Sequence, residues 1–175
     1  GLRRLPRFDS YRGFVFGSVE PEGASLPSYL GGAAMEQIDL FCDLSPTGRV
    51  DLSAGTHRYG YHGNWKLQVE NTIDGYHPNF THRAFFQGMQ KAMGVKMTLF
   101  EGGSAGINRD LGGGHTMLDP REFSRTDPLS LRRVEMIKLM AKPYYEALAD
   151  RHGEARAEEL LLEGYGPGGV AILVE

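Results

Sequence analysis

The stretch Asn64–His82, which reads NWKLQVENTIDGYHPNFTH, combines a helical pattern of apolar residues with a polar end that holds two histidines. Its apolar positions recur every three to four residues, which predicts a helix with one face packed on a sheet. These positions are Trp65, Val69, Ile73 and Tyr76. Pro78 has no N–H and disfavours the α conformation of the residue before it, so we expect this helix to break near His77.

The polar end of this stretch has the residue types of a metal site. His77 and His82 are five residues apart, and on an unbroken helix their rings would diverge by roughly 140°. A break at Pro78 would allow both imidazoles to face one ion. Asp74 lies one turn before His77 and could accept an imidazole N–H, while Asn71 lies a further turn back on the same side. Alternatively, these are ordinary polar residues at a helix end, and the spacing alone leaves both interpretations open.

Strand-like and helix-like segments follow one another without a regular β-α-β rhythm, which favours an α+β fold with an antiparallel sheet. Strands are predicted at Gly13–Val19, within Arg49–Gly63, at Val95–Phe100 and at Ala171–Glu175. Further helices are predicted at Tyr29–Leu44, at Leu129–Ala149 with a kink at Pro143, and at Glu154–Glu163. The glycine-rich segment Gly102–Pro120 predicts a loop over the mouth of a cavity.

The composition excludes several kinds of partner and site. The 175 residues are 41% hydrophobic with a formal net charge of −3, which indicates one globular domain with a sizeable core. The 19 basic residues are mixed with 22 acidic ones, which argues against nucleic acid as a partner. A single cysteine, Cys42, excludes an iron–sulfur cluster or four-cysteine zinc site held by this sequence alone and favours a cytoplasmic protein. No apolar run reaches the roughly 20 residues of a membrane helix.

The polar residues of Asn64–His82 follow the order of a family motif. The stretch resembles the signature N-W-K-x-x-x-E-N-x-x-D-x-Y-H-x-x-x-x-H from the catalytic domain in the large (α) subunit of Rieske-type aromatic-ring-hydroxylating oxygenases. The matching residues are Asn64, Trp65, Lys66, Glu70, Asn71, Asp74, Tyr76, His77 and His82. Nine fixed positions in nineteen make the motif specific. Tyr11–Phe16 (YRGFVF) is similar to the family's passage out of its Rieske domain.

The resemblance implies a helix-grip fold, as in START and Bet v 1 proteins, with a curved antiparallel sheet around long helices. It implies that His77 and His82 bind a mononuclear Fe(II), with a later aspartate as the third ligand. Asn71 would line the site as a catalytic residue, and Tyr76 would belong to the surroundings of the iron. Asp74 would link this iron to the [2Fe–2S] Rieske cluster of a neighbouring subunit and carry electrons across the interface.

The resemblance also implies a reaction and an assembly. The reaction is hydroxylation or dihydroxylation of an aromatic ring by O2, with electrons from NADH delivered through a reductase or ferredoxin. The assembly is a homo-oligomer, a trimer, with or without a small β subunit. Residues 1–20 would form the exit from an upstream Rieske domain, and residues 21–175 a partial catalytic domain without activity of its own. We expect the C-x-H and C-x-x-H cluster ligands upstream of this sequence and the third iron ligand downstream.

Two other functions stay open at this point. A helix-grip domain without metal is a binding module for a lipid or an aromatic ligand. Zinc at the two histidines would make a hydrolase, although the sequence has no H-E-x-x-H motif. Substitutes for the third ligand within the sequence are Asp110, Asp119, Asp127 and His115. Residues that suit either a substrate pocket or a core are Phe80, Phe85, Phe86, Met89, Met97, Phe100 and Met117.

Overall fold

The computed structural model describes residues 4–51, 53, 55, 58–96, 106–164 and 169–172. In this part of the chain, helices are combined with two antiparallel sheets, one of two strands and one of three. The predicted α+β class is therefore confirmed. Across the same residues, no helix is long and apolar enough to cross a membrane.

A hairpin occupies the N-terminal region, where a strand was predicted at Gly13–Val19. Strands β1 (Arg7–Tyr11) and β2 (Phe14–Ser18) pair antiparallel and are joined by two residues. Arg12 and Gly13 in this turn both have positive φ, 51° and 88°. Two successive residues of positive φ characterise the type I′ turn, whose twist matches that of the paired strands.

Helix α1 (Leu26–Asp43) is the helix predicted at Tyr29–Leu44, with an earlier start. Ser25 caps its N-terminus with a side-chain oxygen, and Pro27 lies in its first turn, where no intrahelical N–H is required. Its buried face follows a four-residue spacing. That face consists of Leu30, Ala34, Ile38 and Cys42.

A second hairpin lies within Gly102–Pro120, the segment for which the sequence predicts a loop. Strands β3 (Ile107–Gly112) and β4 (His115–Asp119) pair antiparallel. Glycines 112–114 all have positive φ, so the glycine-rich composition that suggested a loop belongs to a tight turn between strands. The loop prediction is wrong for the hairpin, and residues 102–105 lie outside the described part of the chain.

Strand β5 (Gly169–Ala171) pairs with β4 on the side opposite β3. It overlaps the strand predicted at Ala171–Glu175 only at Ala171, and residues 173–175 are outside the described ranges. The described residues of Arg49–Gly63 contain no strand, because glycines interrupt the alternation there and a strand needs a bonded neighbour. Of the strand predicted at Val95–Phe100, the first two residues are not in a strand and the other four are not described.

The C-terminal half contains four helices, and the last three of them form the main core. The four helices are α5 (Arg121–Thr126), α6 (Pro128–Met140), α7 (Lys142–His152) and α8 (Glu154–Gly164). Helix α8 confirms the prediction at Glu154–Glu163. The single kinked helix predicted at Leu129–Ala149 is instead two helices, because the backbone leaves the helical conformation at Ala141 and Pro143 fits only the first turn of a new helix. The core residues of these helices are Val134, Leu148, Ala157, Leu160 and Leu161.

Three short helices contain the stretch with the two histidines and the residues that follow it. They are α2 (Trp65–Ile73), α3 (Pro78–Thr81) and α4 (Arg83–Met93). Helix α2 lies against β4 and β5, so its predicted position on a sheet is confirmed. The predicted apolar stripe is nevertheless not fully covered, since Trp65 and Tyr76 are 59% and 61% exposed.

Candidate metal centre

The break between α2 and α3 is formed by Asp74. Helix α2 ends at Ile73, and Asp74 has an extended backbone, with φ −86° and ψ 110°. Its Oδ1 accepts the backbone N–H of Tyr76 at 2.7 Å and its Oδ2 accepts that of His77 at 3.1 Å. His77 itself remains in the right-handed helical region despite the proline that follows it. The prediction that Pro78 would break the helix at His77 is therefore wrong in its cause, because an aspartate turn ends the helix three residues earlier.

The same carboxylate contacts the imidazole of His77. The distance from Asp74 Oδ2 to His77 Nδ1 is 3.1 Å. The backbone N–H of Tyr76, followed by the N–H groups of His77, holds the pKa of the Asp74 carboxyl below its usual range. Because an ionised carboxylate only accepts hydrogen bonds, Nδ1 of the neutral imidazole carries the proton, and Nε2 keeps a lone pair for a ligand. A carboxylate that orients a histidine in this way is common around metal sites.

Helix α3 brings the second histidine back to the first. The N–H groups of Phe80 and Thr81 donate to the carbonyl of His77, and the N–H of His82 donates to that of Pro78. The two imidazole centroids are consequently 5.3 Å apart, with an interplanar angle of 70°.

This distance fits two ligands of one ion. A metal–nitrogen bond of about 2.1 Å places an ion about 3.3 Å from each centroid, so bond angles of roughly 90–110° give centroids about 4.6–5.4 Å apart. The measured separation of 5.3 Å lies in this range. His77 and His82 could therefore supply two nitrogen ligands to the same metal.

The described residues contain no group of three or more histidine, cysteine or acidic side chains that could hold a metal. The four substitutes considered for a third ligand each have another partner. Asp110 accepts the N–H of Gly112, Asp119 binds Arg109 and Arg121, Asp127 caps α6 by accepting the N–H of Ser130, and His115 contacts the carbonyl oxygen of Tyr29. None of the four lies in a cluster with His77 and His82.

Two other predicted site residues are near the histidines in sequence, but their side chains make fewer contacts. Asn71 is exposed on α2, and Tyr76 packs on Phe80 with ring centroids 5.0 Å apart. Neither side chain makes a hydrogen bond to a described residue. The structure thus brings together Asp74, His77 and His82, and it leaves Asn71 and Tyr76 at the edge of that group.

Asn79 is a polar residue of this segment that sequence analysis missed. It is only 7% exposed, and its Oδ1 has no hydrogen-bond partner among the described residues. A buried acceptor without a donor lowers the stability of the fold by about 1–3 kcal/mol, so its presence requires a structural or functional explanation. The signal in the sequence was its position three residues before His82, the same offset that separates Asp74 from His77.

The apolar residues considered for a pocket divide into two groups. Phe86 and Met89 of α4 are half-buried and pack, together with Met93 and Phe123, against the buried Leu129, whereas Met117 is buried in β4. Met117 is therefore a core residue, and Phe86 and Met89 lie at the edge of a core cluster. Phe80 and Phe85 are exposed, whereas Met97 and Phe100 lie outside the residues that the structure describes.

Comparison with known proteins connects this geometry to a family. No protein-family model matches the chain. The large subunit of anthranilate 1,2-dioxygenase from Acinetobacter baylyi is 34% identical over 157 residues, which are 87% of this chain and 33% of that protein. The α subunit of toluate 1,2-dioxygenase from Pseudomonas putida is 46% identical over 81 residues, which are 46% of this chain and 17% of that protein. The large oxygenase component of the naphthalene 1,2-dioxygenase system from Ralstonia sp. is 34% identical over 83 residues, 47% of this chain and 18% of that protein.

The names of all three relatives identify them as the large or α subunit, or the large oxygenase component, of a dioxygenase for an aromatic compound. The chain spans at most about a third of their length. The resemblance found in the sequence is therefore confirmed: the chain is similar to part of the large or α subunits of these named dioxygenases.

Proposed function

We propose that this chain is part of the large subunit of a Rieske-type non-haem iron oxygenase that hydroxylates or dihydroxylates an aromatic ring. The observation that carries the proposal is the pair of imidazoles 5.3 Å apart, one of them held by Asp74, within the stretch that resembles the family signature. The named activities of the relatives support the reaction class.

In this proposal, His77 and His82 hold a mononuclear Fe(II) through their ring nitrogens, and a carboxylate outside the described residues is the third ligand. Bound Fe(II) would supply the activation of O2 next to an aromatic substrate. Asp74 fixes the tautomer and the direction of the His77 ring, so that Nε2 points away from the carboxylate. Asn71 and Tyr76 complete the surroundings of the iron.

Asp74 is also suited to the proposed entry of electrons. The backbone N–H of Tyr76, followed by the N–H groups of His77, lowers the pKa of its carboxyl, and 43% of its side-chain surface is exposed to solvent. One carboxylate can therefore contact His77 and at the same time present an oxygen to a neighbouring subunit. We propose that the group it meets there is a ligand of a [2Fe–2S] Rieske cluster, which receives electrons from NADH through a reductase or ferredoxin.

The wider architecture belongs to the same proposal. The strands and helices described here would be parts of a helix-grip domain, residues 21–175, with residues 1–20 leading out of a Rieske domain. The whole protein would be a cytoplasmic homo-oligomer, a trimer, with or without a β subunit. Support for a multicomponent system comes from the naphthalene relatives, which are named as the large oxygenase component of such a system.

Asp74→Asn in the full-length subunit tests the proposal. The asparagine Oδ1 can still accept the N–H of Tyr76, which keeps that part of the turn, but the charge and the Oδ2 acceptor for the backbone N–H and Nδ1 of His77 are lost. We expect NADH-coupled product formation to be abolished, while the circular dichroism spectrum stays that of the wild type. Asp150→Asn, at an exposed position of α7, is the matched control and should keep full turnover. Unchanged turnover in Asp74→Asn would rule out its role in electron entry.

A further inference from the structure

The second histidine of the pair has no orienting partner equivalent to that of the first. Nδ1 of His77 lies 3.1 Å from Oδ2 of Asp74, three residues before it. His82 contacts the ring of His77, but within the described residues its side chain makes no hydrogen bond. A histidine that ligates a metal almost always donates its other ring N–H to an oxygen acceptor.

An unused acceptor is present at the matching position. Asn79 precedes His82 by three residues, as Asp74 precedes His77, and its Oδ1 is buried without a donor from the described residues. Neighbouring backbone N–H groups cannot supply one, because those of Phe80, Thr81 and His82 already donate to the carbonyls of His77 and Pro78. The acceptor that His82 lacks and the donor that Asn79 lacks therefore belong to residues three positions apart, within α3 and at its C-terminal cap.

We propose that Asn79 is the positioning residue of His82: its carboxamide oxygen accepts the Nδ1–H of His82 when Nε2 of that ring binds the metal. This inference rests on the proposed metal site at His77 and His82. The two imidazoles would then be oriented by different acceptors, a charged carboxylate for His77 and a neutral amide for His82. A neutral acceptor adds no second negative charge beside the ion, so Asn79 orients the ring without changing the net charge of the centre.

Titration of the full-length protein with Co²⁺, followed by its visible absorption, tests the proposal without any measurement of turnover. Asn79→Leu, which has similar size but no acceptor, should weaken Co²⁺ binding by roughly 10–100-fold. Asn79→Asp retains an acceptor oxygen and should restore affinity to within about threefold of the wild type. The metal-free Asn79→Leu protein should melt at the same temperature as the wild type or higher, because an unmet buried acceptor has been removed. Asn108→Leu, at an exposed position of β3, is the control and should bind Co²⁺ as the wild type does.

The outcomes separate this inference from the metal site itself. If Co²⁺ binding depends on both histidines, as shown by His77→Ala and His82→Ala, but Asn79→Leu binds as tightly as the wild type, the inference about Asn79 is wrong and the site remains. If neither alanine variant loses Co²⁺, the proposed metal site is wrong and the role of Asn79 fails with it. If Asn79→Leu does not fold, Asn79→Ala replaces it in the Co²⁺ titration. Weak binding by Asn79→Asp and Asn79→Leu alike would also overturn the proposal, because an acceptor oxygen would then make no difference.

Discussion

Asp119 is the carboxylate whose replacement should most affect the fold. It lies at the end of β4 and is 4% exposed. Its two oxygens accept hydrogen bonds from Nε and Nη2 of Arg121, both at 2.8 Å, and from Nε of Arg109. The backbone N–H of Arg121 also donates to it, at 3.1 Å. These contacts join β3, β4 and the start of α5.

Asp119→Asn keeps the shape of the side chain but removes its charge and turns one acceptor into a donor that faces a guanidinium. Hydrogen bonds to charged groups contribute about 1.5–3 kcal/mol each. The side chains of Arg109 and Arg121 are 49% and 28% exposed, so water can solvate them again after the change. We therefore expect a loss of about 2–3 kcal/mol at pH 7, below the roughly 3–5 kcal/mol for breaking a fully buried pair.

The effect should depend on pH with a defined sign. The guanidinium of Arg121, followed by that of Arg109, holds the pKa of the Asp119 carboxyl well below its usual range. A carboxyl with a folded-state pKa below its unfolded value of about 3.9 stabilises fully above that value, and the stabilisation is lost as the pH falls through the folded-state pKa. The difference between wild type and Asp119→Asn should thus be smaller at pH 3 than at pH 7, by about 1 kcal/mol.

Urea unfolding followed by circular dichroism at pH 7 and pH 3 measures both quantities. Asp150→Asn is again the control and should change stability by less than about 0.5 kcal/mol. A cost below about 0.5 kcal/mol for Asp119→Asn at pH 7 would refute the reasoning, since surface substitutions have effects of that size. If the stability difference between the wild type and Asp119→Asn grew as the pH fell, the predicted sign of the pH dependence would be wrong.

Two further substitutions test the core and the attachment of α1. Leu160→Ala empties a fully buried position in the cluster of α6, α7 and α8 and should cost about 2–5 kcal/mol in urea unfolding, whereas a cost near zero would contradict its place in the core. His115→Leu leaves the carbonyl of Tyr29 without the ring nitrogen that now lies 3.1 Å away, so hydrogen exchange at the first turns of α1 should accelerate while that of α8 stays unchanged; equal acceleration in both helices would show a global effect instead.

The predictions from local sequence patterns succeed where the pattern is long and self-contained. The spacing of Leu30, Ala34 and Ile38 repeats over most of α1, and that helix is present. The strand of the first hairpin likewise follows from its β-branched and aromatic residues. The conformation of these elements depends little on distant parts of the chain.

The predictions fail where a distant partner decides the conformation. Gly102–Pro120 contains a hairpin because β4 pairs with β3 and with β5, and pairing with a strand some 50 residues away leaves no mark on local composition. The helix break is a different case, because its cause is local: the side chain of Asp74 competes for the backbone N–H groups before Pro78, the strongest breaker, is reached.

The same contrast between local patterns and distant partners applies to the candidate site. The motif points to Asp74, His77 and His82, and the structure places Asp74 against His77 and His77 against His82, while their role as a metal site stays a prediction. The burial of Asn79 could not be predicted, because burial on a four-residue helix depends on what packs over it rather than on periodicity. The same dependence explains why Met117 is a core residue rather than a pocket residue.

Metal analysis of the full-length subunit and its histidine variants tests the central claim most directly. The wild type should contain about three irons per chain, two of them in a [2Fe–2S] cluster and one mononuclear. His77→Ala and His82→Ala should each lose the mononuclear iron and retain the absorption of the cluster. Zinc in place of iron, no metal at all, or unchanged iron content in both variants would contradict the account.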